Sequence, residues 1–338
     1  MTTEMATRIA VGLAILVALL AVYIIALPKL IRPTIRLILA VRYGFRVAGR
    51  SNVPRTGPAV LAANHLTWID GLFLAATSPR DGRIFANADF FKNRIAGWLA
   101  RRAGIIPVPF SGPKAQRAAI LAVRESLDRG ELVAIFPEGQ LTRNGMLGPF
   151  YRGLEVILRD RAEVAVVPTA LDNLWGSIFS YQGGRSFGKR PVGLRRTIRV
   201  AFGAPLYGPP TLFQVRLAIL DAMVDAVELG RKPPVAPDAV VPSLPRLEVA
   251  GLGLITGSAE DFDRGGVAQP GQRPGTVGLP LPGVAIRTID LASGKALGEG
   301  EVGRVEARLA GRAGWNPLKF QGSIDRDGFL TIVEPTTG

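Results

Sequence analysis

The order of apolar and polar positions divides the chain into an apolar start, a middle of alternating strands and helices, and a glycine-rich end. The run from Ile9 to Leu27 carries no charge. A bilayer core of about 30 Å needs roughly 20 such residues in a helix. We expect Pro28 to break this helix. The pattern therefore predicts a retained transmembrane anchor with a basic interfacial flank over residues 1–48.

A cleaved signal peptide is the competing interpretation of this segment, but it would need a basic region before a shorter apolar core. Here the positive charge follows the apolar run, at Lys29, Arg32, Arg36, Arg42 and Arg46. The positive-inside rule then predicts a single-pass protein of the inner (plasma) membrane, with the rest of the chain in the cytoplasm.

Residues 49–230 alternate between short apolar strands and helical patterns. Strands are predicted at 59–63, 132–136, 164–167 and 197–202, and helices at 114–129 and 211–229. Unbroken apolar strands interleaved with helices are typical of a sheet covered on both faces. The fold class predicted for this domain is therefore α/β, in layers.

The end of the chain differs from the middle in composition and in hydrophobic pattern. Residues 231–245 are proline-rich and predict a linker. Residues 246–338 are rich in glycine and lack a long helical period, and short strands are predicted at 284–290, 303–309 and 329–333. We expect a small β-rich C-terminal module there.

The net charge of +14, from 41 basic and 27 acidic residues, suggests a polyanionic partner. Because the chain carries no recognisable nucleic-acid motif, a lipid bilayer and phosphorylated ligands are favoured over nucleic acid. There is no cysteine, which excludes disulfides, thiolate metal sites and a cysteine nucleophile. We expect no metal site.

Candidate chemistry begins at His65, which is the one histidine of the chain and precedes Asp70 by five residues. A carboxylate bonded to one ring nitrogen leaves the other nitrogen as a base. Five residues of ideal helix would point the two side chains about 140° apart, so the pair requires a strand-to-helix turn. The alternative is a structural histidine with an unrelated carboxylate nearby.

A second candidate motif, Phe136-Pro137-Glu138-Gly139, follows a predicted buried strand and is continued by Thr142 and Arg143. Ligands bind at strand ends in open α/β sheets. The arginine could hold a phosphate or carboxylate through a bidentate contact. The alternative is a turn with surface charges.

Together these motifs resemble the glycerolipid acyltransferase family, of the 1-acylglycerol-3-phosphate type. The first block matches Asn64, His65 and Asp70, the third matches Phe136 to Gly139 with Thr142-Arg143, and the fourth matches Val167-Pro168. The resemblance implies His65 and Asp70 as catalytic residues. It implies substrate binding by Asn64, Glu138, Gly139, Thr142 and Arg143.

The second block is matched only at its start, by residues 104–108. Phe110 stands near the place of the family's phosphate-binding arginine. The basic residues that could replace it are Arg101, Arg102, Lys114 and Arg117.

Residues 171–180 look like the acyltransferase part of bifunctional acyl-carrier-protein synthetase/2-acylglycerophosphoethanolamine acyltransferases. In that group an adenylate-forming domain follows, and residues 275–284, 300–303 and 324–330 resemble its latter half. No glycine-rich phosphate loop precedes them. We therefore expect a truncated module without ATP chemistry.

The resemblance implies a membrane-bound O-acyltransferase without a cofactor. An acyl group would pass from acyl-CoA or acyl-ACP (acyl carrier protein) directly to the free hydroxyl of a lysophospholipid, with His65 and Asp70 as the general base. One alternative is a lysophosphatidic acid acyltransferase that makes phosphatidic acid. Another is a non-catalytic, membrane-anchored module that binds an acyl-activating enzyme.

Overall fold

The computed structural model describes residues 3–102, 104–108, 112–184, 195–230, 241, 243–264 and 267–335. The helices in these ranges are α1 (Thr3–Arg42), α2 (Asp70–Thr77), α3 (Arg94–Arg102), α4 (Pro113–Asp128), α5 (Gly153–Leu158) and α6 (Leu212–Glu228). The strands of the first part are β1 (Tyr43–Ala48), β2 (Ala59–Ala63), β3 (Gly82–Asn87), β4 (Ile105–Val108), β5 (Leu132–Ile135), β6 (Ala165–Asp172) and β7 (Arg196–Phe202). Those of the second part are β8 (Leu247–Val249), β9 (Gly253–Gly257), β10 (Phe262–Arg264), β11 (Val267–Gln269), β12 (Leu279–Pro280), β13 (Val284–Ile289), β14 (Gly303–Leu309), β15 (Asn316–Ile324) and β16 (Leu330–Pro335).

Strands β1 to β7 form one sheet in the order β1-β7-β6-β2-β5-β3-β4. Neighbouring strands are parallel except β6 and β7. Every residue of β2 is buried, and successive residues point to opposite faces. Val60 and Ala62 pack with α4, α5 and α6, whereas Leu61 packs with α2. The predicted α/β class is confirmed, because both faces of the sheet are covered.

The N-terminal segment differs from its prediction. One helix, α1, continues through Pro28 to Arg42, since a proline removes a single N–H donor and need not end a helix. Among the described residues we find no helix that is long and apolar enough to span a bilayer, in the segment where a transmembrane anchor is predicted.

Two arginines of the predicted interfacial flank make contacts within the protein. Arg36 donates to the carbonyls of Ala75, at 3.2 Å, and Ser78, at 3.4 Å, at the end of α2. Arg46 donates to the carbonyl of Leu229, at 2.6 Å, at the end of α6. Cations are favourable at helix C-termini, where carbonyls lack partners. These two side chains therefore stabilise helix ends.

The β-rich C-terminal module is confirmed as a set of small antiparallel sheets: β13-β14-β15-β16, β12-β9-β8 and the hairpin β10-β11. Residues 231–240 and 242 of the predicted linker lie outside the described residues. The module shares a core with the first domain, because Phe213 of α6 and Met146 pack among its apolar residues. Arg308 of β14 also pairs with Asp221 of α6, at 2.6 Å.

Because the two parts share a core, we expect the first domain and the C-terminal module to unfold together. Phe213→Ala removes a side chain that is 5% exposed, and should lower the free energy of unfolding by about 3–5 kcal/mol. Denaturant titration should show one transition for both parts of the chain. Tyr207→Ala, at a side chain 67% exposed, is the control and should change stability by less than about 0.5 kcal/mol. Two separate transitions would contradict a shared core.

Candidate active site

The sheet brings the two predicted motifs together. Strands β2 and β5 are parallel neighbours, with Ala62 paired to Ile135. His65 and Glu138 each follow their paired residue by the same number of positions, so they emerge side by side at the C-terminal edge of the sheet. In open α/β sheets this edge is where ligands bind.

His65 lies in the turn between β2, which ends at Ala63, and α2, which begins at Asp70. Its Nδ1 is 2.9 Å from Oδ2 of Asp70. The predicted strand-to-helix turn is therefore confirmed. A neutral imidazole that donates Nδ1–H to this carboxylate leaves Nε2 able to accept a proton.

The carboxylate of Asp70 is rigidly placed. It is fully buried, and Oδ2 accepts the backbone N–H groups of Leu66, at 2.6 Å, and Thr67, at 2.8 Å. The hydroxyl of Thr67 donates to the other oxygen, Oδ1. Because the turn itself binds the carboxylate, Asp70 can orient the imidazole without a rearrangement.

The imidazole of His65 also stacks on a ring from the second motif. The centroids of His65 and Phe136 are 4.0 Å apart and the rings are 13° from parallel. The His65 side chain remains 20% exposed. Phe136 therefore supports one face of the imidazole while part of the side chain stays accessible.

Glu138 supports the backbone of this site. It is 2% exposed. Its Oε1 accepts the His65 N–H and its Oε2 the Gly148 N–H, each at 2.7 Å. Burial raises the pKa of Glu138 to about 7, although the two N–H donors and the charge of Arg216 oppose that rise. Both oxygens are engaged inside the fold, in contrast to the substrate contact that the resemblance implied.

Arg216 of α6 also belongs to this network, although no sequence motif predicts it. It is 1% exposed, donates to the Gly148 carbonyl at 2.6 Å and lies 4.2 Å from the ring centroid of Phe150. Burial lowers its pKa to about 10, so it stays charged at pH 7 beside Glu138. The sequence does carry one signal for Arg216, because it is an arginine on the apolar face of the predicted helix 211–229.

Two other predicted substrate contacts are also part of the framework. The amide of Asn64 is paired with the backbone of Leu171, accepting its N–H at 2.7 Å and donating to its carbonyl at 3.0 Å. The buried hydroxyl of Thr142 donates to the Met146 carbonyl at 2.8 Å. The first contact joins the ends of β2 and β6, and the second closes the loop after β5.

The last two predicted substrate contacts, Gly139 and Arg143, lie in the loop after β5. Gly139 has φ +61°, and an added Cβ would come within 2.9 Å of the Tyr151 ring, so both backbone and space require glycine. The guanidinium carbon of half-buried Arg143 is 3.5 Å from the Tyr181 ring centroid. Its Nε makes no hydrogen bond to any described residue. Of the five predicted substrate-binding residues, Arg143 is the one with a charged side chain that is only half-buried.

The second sequence block stays a prediction. Phe110 and the side chain of Arg102 lie outside the described residues, and Arg101, Lys114 and Arg117 are all exposed.

Backbone N–H groups near His65, or at the start of the following helix, are the predicted donors to an oxyanion. The backbone N–H groups of residues 65–68 and 70 all have partners within the protein. These five N–H groups are therefore committed to the turn that holds His65.

Comparisons with known proteins match the first domain. The Acyltransferase family model matches residues 44–172. The chain is 28% identical over 130 residues to the chloroplastic 1-acyl-sn-glycerol-3-phosphate acyltransferase LPAT1 of Arabidopsis thaliana, covering 38% of this chain and 36% of that protein. It is 34% identical over 136 residues to the lyso-ornithine lipid O-acyltransferase of Pseudomonas aeruginosa, covering 40% and 50%.

Among solved structures, the chain is similar to the 1-acyl-sn-glycerophosphate (LPA) acyltransferase PlsC of Thermotoga maritima, with 18% identity and a TM-score of 0.47, over 61% of this chain and 81% of that one. Of the two relatives matched by sequence, the chain spans about a third of the length of the Arabidopsis protein and half of the Pseudomonas protein.

The raised pKa of Glu138, about 7 against an ordinary 4.5, predicts a pH dependence of folding. The folded protein binds this proton more tightly than the unfolded chain does. The stabilisation is therefore complete below pH 4.5 and is lost as pH rises to about 7, by roughly 3 kcal/mol. Glu138→Gln should flatten this slope in denaturant titrations across pH 4–8. Glu155→Gln, at an exposed helix position, should leave it unchanged. An equally steep slope in Glu138→Gln would contradict the assignment.

Proposed function

We propose that this protein, whose residues 44–172 match the Acyltransferase family model, moves a fatty acyl group from a thioester to the free hydroxyl of a lysophospholipid. The observation that carries the proposal is the pairing of His65 with buried Asp70, at 2.9 Å, beside the loop that bears Arg143. Relatives that match this region act on acyl-sn-glycerol-3-phosphate and on a lyso-ornithine lipid.

The proposed reaction is a direct transfer. The lysophospholipid oxygen attacks the thioester carbonyl carbon while its proton passes to Nε2 of His65, and Asp70 stabilises the imidazolium through Nδ1–H. When the tetrahedral intermediate collapses, the carbon–sulfur bond breaks. The leaving thiolate takes the proton from His65, and the ester remains on the acceptor.

The acceptor site lies beside Arg143 in this proposal. A guanidinium can bind a phosphate or carboxylate through parallel hydrogen bonds, and the charged side chain of Arg143 is only half-buried in the loop that is bonded to His65. Lysophosphatidic acid, with phosphatidic acid as product, is the second candidate acceptor, because a relative's name specifies 1-acyl-sn-glycerol-3-phosphate.

We place the reaction at a lipid surface, with acyl-CoA or acyl-ACP as donor. Apolar side chains of α1 are exposed, among them Val11, Leu16, Leu37 and Val41, and the chain carries a net charge of +14. Exposed apolar patches and positive charge both favour contact with anionic bilayers. A non-catalytic module that binds an acyl-activating enzyme is disfavoured, since it would not need a histidine–aspartate pair of this geometry.

An acceptor panel tests the proposal. The purified full chain would be mixed with anionic vesicles that contain lysophosphatidic acid, lysophosphatidylethanolamine or a lyso-ornithine lipid. Each acceptor would be offered with acyl-CoA and with acyl-ACP, and the acylated product measured by mass spectrometry. Transfer to at least one acceptor is expected. No transfer to any of them, with either donor, would overturn the proposed function.

The role of His65 predicts a specific loss of turnover. His65→Ala should lower kcat by about 10²–10⁴-fold, because it removes the general base and leaves Asp70 without an imidazole to orient. Circular dichroism would check that the variant is folded, and Arg55→Ala, at an exposed position, is the control with wild-type turnover. A folded His65→Ala variant with wild-type kcat would rule out the mechanism.

A further inference from the structure

We infer that the C-terminal module is part of the acceptor side of the active site, where the hairpin β10-β11 positions the loop that carries Arg143. The inference rests on the proposed function and assigns Gln269 as the positioning residue. Gln269 is a buried glutamine of the module, and the polar atoms of its side chain all bond to residues of the first domain.

Gln269 is 1% exposed. Its Oε1 accepts the backbone N–H of Arg143 at 2.7 Å. Its Nε2 donates to Oδ1 of Asn144 at 2.7 Å and to Oγ1 of Thr142 at 3.2 Å. A buried amide is costly unless it is hydrogen-bonded, and here three consecutive residues of one loop satisfy it. The amide therefore specifies one conformation of that loop.

A second contact attaches the same hairpin to the same loop. The side chain of Gln140 donates from Nε2 to the carbonyl of Ala268, at 2.9 Å. Adjacent residues of β11 thus contact both the beginning and the middle of the segment 140–144, which limits its movement relative to the module.

The positioned loop is joined directly to the histidine. The backbone N–H of Thr142 donates to the His65 carbonyl at 2.9 Å. Two hydrogen bonds, Gln269 to Thr142 and Thr142 to His65, therefore connect the module to the turn that carries the base. A shift of the hairpin would alter the distance between Arg143 and His65.

The side chain of Arg143 is also positioned from both parts of the chain. Its guanidinium carbon lies 4.8 Å from the ring centroid of Phe262 in β10 and 3.5 Å from that of Tyr181, which follows β6. The Tyr181 ring in turn lies 6.3 Å from that of Trp68, in the turn after His65. Cation–π contacts of this kind orient a guanidinium without using its N–H groups.

Substitution at Gln269 tests the inference in the intact chain. Deleting the whole module would uncover Met146 and Phe213, so it would mix positioning with stability. Gln269→Ala should raise the KM for the lysophospholipid at least about tenfold, because the Arg143 loop is no longer held in the binding conformation. The KM for the acyl donor should stay at its wild-type value. Gln321→Ala, a glutamine of β15 in the same module, is the matched control and should change neither constant.

A double-mutant cycle shows whether Gln269 acts through Arg143. In an Arg143→Ala background, Gln269→Ala should raise the acceptor KM by less than about twofold further, since interacting residues are not additive. A full tenfold effect in that background would overturn the inference, as would a wild-type acceptor KM in Gln269→Ala alone. If Gln269→Ala fails to fold, Gln269→Glu serves instead: it keeps an acceptor for the Arg143 N–H and loses the donor to Thr142 and Asn144.

A measurement without turnover separates this inference from the proposed function. Hydrogen exchange at the Arg143 amide should be faster in Gln269→Ala than in the wild type, and unchanged in Gln321→Ala. Unchanged exchange in Gln269→Ala would overturn the positioning role even if acyl transfer is found. Faster exchange in Gln269→Ala, together with no acyl transfer by the wild type, would support the contact between Gln269 and the Arg143 loop. It would overturn the assignment of that loop to an acceptor site.

Discussion

The buried carboxylate of Glu138 is the constraint on which the rest of the site depends. Its two oxygens hold the backbone N–H groups of His65 and Gly148 at 2.7 Å, and the Gly148 carbonyl accepts a hydrogen bond from Arg216. Two sheet strands, a loop and α6 meet through these contacts. A charged or half-charged group in such a place is costly unless its partners stay in position, so the architecture around it has little freedom to change.

This constraint divides the polar residues of the site into two groups. Asn64, Asp70, Glu138 and Thr142 use their side chains within the protein, and all four are buried. His65 and Arg143 are each held by such contacts but keep part of the side chain accessible. A rigid inner layer that orients a few accessible groups is the arrangement that preorganised catalysis needs. The C-terminal module extends the inner layer, since Gln269 bonds to the loop of Arg143.

Hydrophobic patterns and motif spacing predicted the structure correctly where it depends on interactions between residues close in the sequence. Strand β2 and helix α6 were predicted because unbroken apolar runs and a helical period reflect burial within a few residues. The pairing of His65 with Asp70 across a turn followed from helix geometry. The same reasoning was wrong at Pro28, where α1 continues, and it missed Arg216 and Gln269, whose partners lie far along the chain.

By itself the sequence determined the layered α/β domain, the β-rich end and the residues that carry the candidate chemistry, because hydrophobic period and motif spacing are properties of neighbouring positions. Only the tertiary structure decided which polar side chains face a ligand and which hold the framework. That choice depends on burial and on hydrogen-bond partners supplied by distant segments, such as Leu171 for Asn64, Gly148 for Glu138 and the β11 strand for the Arg143 loop. No spacing rule within one segment can specify a partner that folding brings from another.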